Sequence, residues 1–334
     1  MQPLPSSSTP LRPAMSAQPN QNLRGAFFAL IAFAIFSGHD VLIKSLGSTY
    51  SPVQTVFFTC LLGLPLVTLM LIRDTTHGNL RPAYPGWMAI RCICLIANGV
   101  AAFMAFATLP LAQTYAILFS MPLLITVLSI PILGETVRLH RWCAVMVGLV
   151  GVLIVLQPGQ ADLSVGHLAA LISALGGAAN SVIIRRVGSE ERSVVLILFP
   201  MIGTLIVMAV FLPFVYVPPS IEDLGRMGMI AGMSFVAMLF LIAAYRYGEA
   251  VIIAPMQYSQ MLWAIAYGYL LFAEPLTVTT AIGSGLIMAS GLYILFRESK
   301  GSNSENTPVL NTRTRTGTTY SIRVSMLDKL LEKR

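Results

Sequence analysis

The sequence carries very little charge for its length. Only 10% of its 334 residues are Asp, Glu, Lys or Arg, whereas soluble domains contain about 25% of these residues. Hydrophobic residues make up 56% of the chain, and the mean hydropathy is +0.76. This composition excludes a soluble enzyme and a disordered regulator, because both need far more polar surface. The chain is expected to cross a membrane many times.

Cysteine and enzyme motifs are scarce as well. The chain has four cysteines, too few for a disulfide-stapled secreted domain of this length. Cys92 and Cys94 form a Cys-Ile-Cys triplet without a second ligand pair at zinc-site spacing. The sequence also lacks the GxxxxGKS/T, GxSxG and HExxH motifs. We therefore expect no enzyme activity, no catalytic residue, no cofactor and no metal site.

The positive charges indicate a topology rather than a nucleic-acid partner. The net charge is +7, but the basic residues are dispersed between apolar runs, without the basic face that nucleic acid requires. Lys and Arg collect in cytoplasmic loops. Between the first and the last predicted helix, most lie in the even-numbered connections or at helix ends beside them: Arg73, Arg81, Arg138, Arg141, Arg185, Arg186, Arg192 and Arg246. The odd-numbered connections and the helix ends beside them carry only Arg226 and Lys44. Because the even-numbered connections are therefore expected in the cytoplasm, we predict that both termini are cytoplasmic.

Ten apolar runs, separated by polar or Pro- and Gly-containing breaks, predict ten transmembrane helices. The predicted spans are 25–46, 53–72, 87–108, 112–133, 142–157, 166–187, 194–216, 227–247, 250–272 and 277–296. The expected fold class is therefore an all-α polytopic membrane protein with ten transmembrane helices.

The chain contains an internal repeat. HDVLIKSLG at His39–Gly47 corresponds to NSVIIRRVG at Asn180–Gly188, 141 residues later. ILGE at Ile132–Glu135 corresponds to LFAE at Leu271–Glu274, 139 residues later. Each copy then holds five helices, and an odd number forces the second copy into the membrane in the opposite orientation. Such inverted repeats recur among secondary transporters.

The repeat divides the chain into four parts. The first five-helix repeat occupies 24–159 and the second, inverted repeat occupies 160–297. Residues 1–23 are rich in Pro, Ser and Gln, which predicts a disordered cytoplasmic tail. Residues 298–334 form a second polar tail, also expected in the cytoplasm, whose role stays open.

The segment Phe106–Pro158, FATLPLAQTYAILFSMPLLITVLSIPILGETVRLHRWCAVMVGLVGVLIVLQP, ends its first apolar helix with Gly134-Glu135. With the five-plus-five pattern, this segment resembles the drug/metabolite transporter superfamily in its EamA-type branch. The resemblance implies a multi-pass protein of the plasma (bacterial inner) membrane and a central cavity lined by helices 1, 3, 4, 6, 8 and 9. It also implies transport of small organic solutes, which among relatives include amino acids, amines, riboflavin and S-adenosylmethionine.

Polar and aromatic residues inside the predicted helices are the candidates for solute binding, because lipid contact would leave their polar groups unsatisfied. Most of the polar candidates lie on helix 9, close to Pro255, which is expected to break the helix locally. The full set of solute-binding candidates is Gln257, Ser259, Gln260, Trp263, Tyr115, Phe119, Asn98, Arg91 and Asn180.

His39 and Asp40 are the candidates for proton coupling, since a carboxylate in hydrocarbon must be paired, hydrated or protonated. An alternative is a structural ion pair of Asp40 with Lys44 at i, i+4 spacing.

Other candidates have structural alternatives too. Asn180 could support helix packing instead. Arg91 could extend to the interface, or it could pair with an anionic group of the solute. Asn98 would be a partner in either case.

The predicted function is a secondary transporter that moves a small organic metabolite, such as an amino acid or amine, by alternating access, with proton coupling as a hypothesis. A specific carrier of riboflavin or S-adenosylmethionine is an alternative, and a non-transporting membrane scaffold is a second. The expected partners are the solute and membrane lipid, not nucleic acid. The protein is expected as a monomer or homodimer, and the sequence leaves open the solute, the direction of transport and the coupling ion.

Overall fold

The computed structural model describes residues 19–72, 81–137, 139–158, 164–187, 191 and 193–300. Most of the two predicted tails lies outside these residues. So do Arg73, Arg138 and Arg192, three of the basic residues on which the predicted orientation depends.

The described residues form helices and connections, without a β-strand among them. The α-helices are α1 (Pro19–Leu46), α2 (Pro52–Ile72), α3 (Pro85–Thr108), α4 (Leu111–Leu118), α5 (Met121–Leu133), α6 (Leu139–Leu156), α7 (Val165–Val187), α8 (Ser193–Phe211), α9 (Ile221–Tyr247), α10 (Ala250–Ile253), α11 (Ser259–Phe272) and α12 (Val278–Lys300). Two 3₁₀ segments extend them, Leu212–Phe214 after α8 and Ala254–Tyr258 between α10 and α11.

Eight segments of the described chain are long and apolar enough to cross a membrane. They are Gln21–Leu46, Pro85–Thr108, Leu111–Leu133, Leu139–Leu156, Val165–Val187, Val195–Phe214, Ile221–Tyr247 and Val278–Arg297. A shorter apolar helix covers Pro52–Thr68, and α11 has 14 residues. The all-α class with many membrane-length helices is therefore confirmed, whereas ten crossings remain a prediction.

Three predicted boundaries were wrong because polar residues extend the helices beyond their apolar runs. Helix α1 includes residues 19–23, placed above in a disordered tail, and Asn22 accepts a hydrogen bond from the Glu249 N–H at 3.0 Å. Helix α9 begins at Ile221 rather than 227, because the Ser220 hydroxyl accepts from the Asp223 N–H and caps the helix. Helix α12 continues through residue 300, three residues into the predicted C-terminal tail.

Two of the predicted spans are interrupted. The fourth is divided into α4 and α5 at Phe119–Ser120, just before Pro122, which has no N–H for the helical ladder. The ninth is divided by the 3₁₀ segment Ala254–Tyr258, which contains Pro255. The predicted break at Pro255 is thus present. The two interruptions face each other, since the rings of Phe119 and Tyr258 have centroids 5.0 Å apart.

Helix pairs from distant parts of the chain form the core. Helix α1 packs along α9, α3 along α7, and α6 along α12. Glycine permits the closest of these approaches. A Cβ on Gly151 of α6 would lie 2.8 Å from the Gly283 carbonyl oxygen of α12, so a larger residue at this position would separate the two helices.

The two helix ends that carry the ILGE and LFAE segments have the same local geometry. Gly134 and Ala273 both adopt the left-handed region, with φ of 72° and 52°. In each case the N–H of the next residue, Glu135 or Glu274, donates to the carbonyl six residues earlier. Each carboxylate therefore belongs to the residue that directly follows the left-handed C-terminal cap of its helix.

Candidate functional site

A buried polar cluster, which we call the Asp40 cluster, consists of Ser37, His39, Asp40, Tyr115 and Gln260. The Tyr115 hydroxyl donates to Asp40 Oδ2, and His39 Nδ1 lies 2.7 Å from Asp40 Oδ1. Gln260 Nε2 donates to the Tyr115 oxygen at 3.3 Å, and the Ser37 hydroxyl is 3.4 Å from it. All five residues are buried. The cluster therefore joins α1, α4 and α11 through one carboxylate and one phenol.

The donor directions in the cluster form a continuous relay. Gln260 can only donate to the Tyr115 oxygen through Nε2, so the phenol proton is free to point at Asp40. A carboxylate at 2% exposure is expensive unless hydrogen bonds or a positive charge compensate it. The Asp40 carboxylate can therefore take up a proton or bind the cationic group of a solute. Either event changes the hydrogen bond between Tyr115 and Asp40.

The alternative of a structural ion pair between Asp40 and Lys44 was wrong. Lys44 Nζ lies 2.7 Å from Glu274 Oε1 and also donates to the Leu109 carbonyl at 2.6 Å. Lys44 is in the last turn of α1, so its long side chain extends beyond the helix end toward these acceptors. The Asp40 carboxylate instead contacts Tyr115 and His39.

Arg91 and Asn180 meet in a second buried group, between α3 and α7. Arg91 Nε donates to Asn180 Oδ1 at 3.0 Å, and Nη1 donates to the Leu196 carbonyl of α8 at 2.5 Å. Arg91 is only 1% exposed. The alternative in which Arg91 extends to the membrane interface was therefore wrong, because its guanidinium is enclosed by protein.

Asn98 lies apart from Arg91. Its Oδ1 accepts from the Ser173 hydroxyl at 2.9 Å, in a contact between α3 and α7. The expectation that Asn98 partners Arg91 was wrong, because Asn180 occupies that place. Asn98 thus forms a second polar contact along the same helix pair.

The aromatic candidates divide into two places. Phe119 packs on Tyr115, with centroids 5.8 Å apart, and on Tyr258. These rings form an aromatic wall beside the Asp40 cluster. Trp263 instead stacks on Tyr267 at 6.0 Å and is 38% exposed, so the structure does not bring it to the cluster.

The polar candidates of the ninth predicted helix also differ in their surroundings. Gln260 joins the Asp40 cluster. Gln257 is half-buried on the 3₁₀ segment. The Ser259 hydroxyl is buried and has no hydrogen-bond partner within the described ranges. Ser259 therefore adds an unused donor and acceptor next to Gln260.

Sequence reasoning missed Ser37, which is a member of the Asp40 cluster. Ser37 lies three residues before Asp40, a spacing that places both on one face of a helix and could have indicated it. Across the part of the chain that the structure describes, no three His, Cys, Asp or Glu side chains converge on a point that could hold a metal ion.

Comparisons with known proteins identify relatives over most of the chain. The S-adenosylmethionine uptake transporter of Rickettsia conorii is 22% identical over 284 residues, which cover 85% of this chain and 96% of that protein. The pseudopaline exporter CntI of Pseudomonas aeruginosa is 25% identical over 279 residues, covering 83% and 97%. The riboflavin transporter of Rhizobium johnstonii is 26% identical over 299 residues, covering 85% and 95%.

The fold is shared with a solved crystal structure, which aligns with a TM-score of 0.54 over 85% of this chain and 100% of that chain at 19% identity. The relatives above are named as transporters of small solutes rather than as enzymes. The many apolar helices and these relatives indicate a multi-pass membrane transporter. The profile of the EamA-like transporter family matches residues 23–157 and again residues 164–296, so the chain belongs to the EamA-like transporter family.

Proposed function

We propose that this protein is a secondary transporter that carries a small organic metabolite by alternating access and binds it at the Asp40 cluster. The observation that carries this proposal is the buried relay from Gln260 through Tyr115 to Asp40. It joins helices from both halves of the chain through a carboxylate that a cation or a proton can neutralise.

The interrupted helices support this position for the solute. In secondary transporters, solutes bind where membrane helices are discontinuous, because unpaired backbone groups there can line a cavity. The breaks at Phe119–Ser120 and Ala254–Tyr258 adjoin the Asp40 cluster through Tyr115 and Gln260.

The proposed topology has ten crossings arranged as two inverted repeats, 24–159 and 160–297, with both termini in the cytoplasm. The two matches of the family profile to one chain and the matching helix ends at Glu135 and Glu274 support the repeats. The basic residues of the even-numbered connections support this orientation. The proposed location is the plasma (bacterial inner) membrane.

The proposed solute carries a cationic nitrogen or sulfonium group, which Asp40 would neutralise, as in amino acids, amines and S-adenosylmethionine. A carrier of a flat-ringed cofactor such as riboflavin is the second candidate, and the aromatic wall of Tyr115, Phe119 and Tyr258 favours it. Both candidates place the solute against the same buried residues. Proton coupling would then use Asp40 with His39.

Uptake into proteoliposomes tests the proposal. The full-length protein is supplied with labelled S-adenosylmethionine, riboflavin, amino acids and polyamines, with and without an imposed pH gradient. We expect uptake of a compound of one of these classes, and its loss in Asp40→Asn. Glu222→Gln is the matched control, because Glu222 is 72% exposed and lies far along the chain from the cluster.

Cysteine accessibility separates a transporter from a membrane scaffold. Single cysteines at Gln257, Ser259 and Gln260 should react with a water-soluble thiol reagent if a solute cavity reaches them. Protection at all three positions, together with no uptake of any compound, would support the scaffold and contradict a transport function.

A further inference from the structure

Two ion pairs connect the halves of the chain in a crossed arrangement. Lys44 of the first half pairs with Glu274 of the second, and Arg185 of the second half pairs with Glu135 of the first. The repeat offsets relate the members of one pair to those of the other, since Lys44 corresponds to Arg185 and Glu135 to Glu274. The two pairs are therefore counterparts of one another.

The pairs lie at opposite faces of the protein. The N-terminus of α4, at Leu111, contacts Glu274, whereas Glu135 follows Gly134, the C-terminal cap of α5. The span Leu111–Leu133 between them has 23 residues. As a helix it is about 35 Å long, enough to cross the hydrocarbon of a bilayer.

The Lys44 cluster, which consists of Lys44, Leu109, Leu111, Phe272 and Glu274, is fully bonded. Besides the ion pair, Lys44 Nζ donates to the Leu109 carbonyl, and it lies 5.3 Å from the Phe272 ring centroid. Glu274 Oε2 accepts from the Leu111 N–H at 2.9 Å, which satisfies the free end of α4. The cluster thereby joins the end of α1, the start of α4 and the end of α11.

The Arg185 cluster, which consists of Glu135 and Arg185, makes its ion pair but lacks the matching backbone contacts. Glu135 Oε2 and Arg185 Nη1 are buried, and neither has a hydrogen-bond partner among the residues that the structure describes. At the same offset, the counterparts of the Leu109 carbonyl and the Leu111 N–H are the carbonyl of Gly248 and the N–H of Ala250.

The counterpart backbone is already shaped for these contacts. Leu109 and Gly248 both end their helices in extended conformation, with φ of −106° and −121°, and both donate an N–H to the carbonyl four residues earlier. Gly25 approaches Gly248 as Gly166 approaches Leu109. The two faces thus have the same backbone arrangement, but the side-chain contacts to it are complete only at the Lys44 cluster.

We propose that the Lys44 and Arg185 clusters close the two faces of the protein in turn, so that only one of the two clusters is complete at a time. This inference rests on the proposed alternating-access transport. In this structure the Lys44 cluster is complete, whereas the Arg185 cluster holds its ion pair without the two backbone contacts. When the cycle reverses, the Lys44 cluster separates, Glu135 Oε2 accepts from the Ala250 N–H, and Arg185 donates to the Gly248 carbonyl.

Distance measurements between spin labels test the closures without a solute. One label pair, at Thr49 and Leu276, reports the face of the Lys44 cluster, and a second, at Thr136 and Glu249, reports the face of the Arg185 cluster. All four positions are exposed. The full-length protein is reconstituted in lipid after its four cysteines are replaced by Ser or Ala.

Glu274→Gln and Glu135→Gln are nearly isosteric and keep a side-chain oxygen for a backbone N–H. We expect Glu274→Gln to lengthen the Thr49–Leu276 distance and shorten the Thr136–Glu249 distance, and Glu135→Gln to shift both in the opposite directions. The ratio of the two distance populations should change about tenfold, between the effects of an exposed and a buried ion pair.

Glu222→Gln is the matched control. Its carboxylate pairs with Arg226 within one helix, α9, and the pair connects no two helices. Both distances should stay at the parent values. The charge-reversed double variant Lys44→Glu/Glu274→Lys should return the distances toward the parent, which guards against a single variant that folds poorly.

Each result bears on one of the two proposals. Reciprocal shifts in the two single variants support the closures even if the parent carries none of the tested solutes, in which case the proposed function fails alone. Uptake by the parent together with unchanged distances, or with shifts in the same direction in both variants, overturns the closures and leaves the transport function standing.

Discussion

The bond between Tyr115 and Asp40 is the contact on which the candidate site most depends, and a double-mutant cycle can measure it. Tyr115→Phe removes the hydroxyl that donates to Asp40 Oδ2, and Asp40→Leu removes the acceptor at similar volume. Both residues are nearly inaccessible, at 3% and 2% exposure, so water cannot replace the lost partner. A hydrogen bond to a charged group contributes about 1.5–3 kcal/mol. We expect a coupling energy of this size in the free energy of unfolding.

The assay is unfolding of the purified protein in mixed micelles, for the parent, both single variants and the double variant. Tyr115→Phe should destabilise the parent strongly and Asp40→Leu only weakly further, because in the double variant neither polar group is buried alone. A coupling energy below about 0.5 kcal/mol, the usual error of additivity, would refute the relay. Tyr115→Phe combined with Arg226→Ala is the control, and these effects should add.

The remaining predictions concern packing and a contact outside the cluster. Gly151→Ala should destabilise the protein by about 1–3 kcal/mol, because its Cβ would lie 2.8 Å from the Gly283 carbonyl oxygen, whereas Gly285→Ala, which meets no atom within 4 Å, should be neutral in the same unfolding assay. The hydrogen bond of Tyr50 to Asp223 raises the pKa of Tyr50 above its ordinary value of 10.0. This hydrogen bond therefore stabilises the fold fully below pH 10, and the stabilisation is lost as the pH rises through the raised pKa of Tyr50. The difference in the free energy of unfolding between the parent and Tyr50→Phe should disappear in that range.

The positions of the helices were largely predictable, and the reason is the length of the apolar runs. A run of some twenty apolar residues leaves helix as the conformation that pairs all its backbone groups in a membrane. The errors lie where a polar residue decides the boundary. Ser220 caps α9, which begins six residues before the predicted start. Asn22 joins the first turns of α1 to the α9–α10 connection. Hydropathy does not register either contact.

Four of the five residues of the Asp40 cluster were recognisable from the sequence, but their contacts were not. Asp40, Tyr115 and Gln260 were each recognisable as polar groups inside apolar helices, yet they lie 75 and 145 residues apart along the chain. Lys44 shows why the contacts were not predictable. The local i, i+4 spacing favoured Asp40, whereas the structure gives Lys44 a distant carboxylate, Glu274.

The two repeat offsets could have predicted the crossed ion pairs. Once Lys44 is aligned with Arg185 and Glu135 with Glu274, two cations and two anions occupy corresponding helix ends of opposite halves. If a cation of one half pairs with an anion of the other half, the symmetry of the internal repeat produces a second pair of the same kind. The local reading of Lys44 hid this relationship, because it assigned the lysine a partner within its own helix.

The Asp40 cluster and the Lys44 cluster use the same two helices, one turn apart. Lys44 is four residues after Asp40 on α1, and Tyr115 is four residues after Leu111 on α4. A one-turn separation is about 6 Å along a helix axis, so neutralisation of Asp40 acts on the helices that the Lys44 cluster holds together. The second half has no such link, because Ser181 stands at the position that corresponds to Asp40. If the closures work as proposed, binding at the carboxylate therefore controls the face of the Lys44 cluster directly, and the opposite face responds only through the shared motion of the two halves.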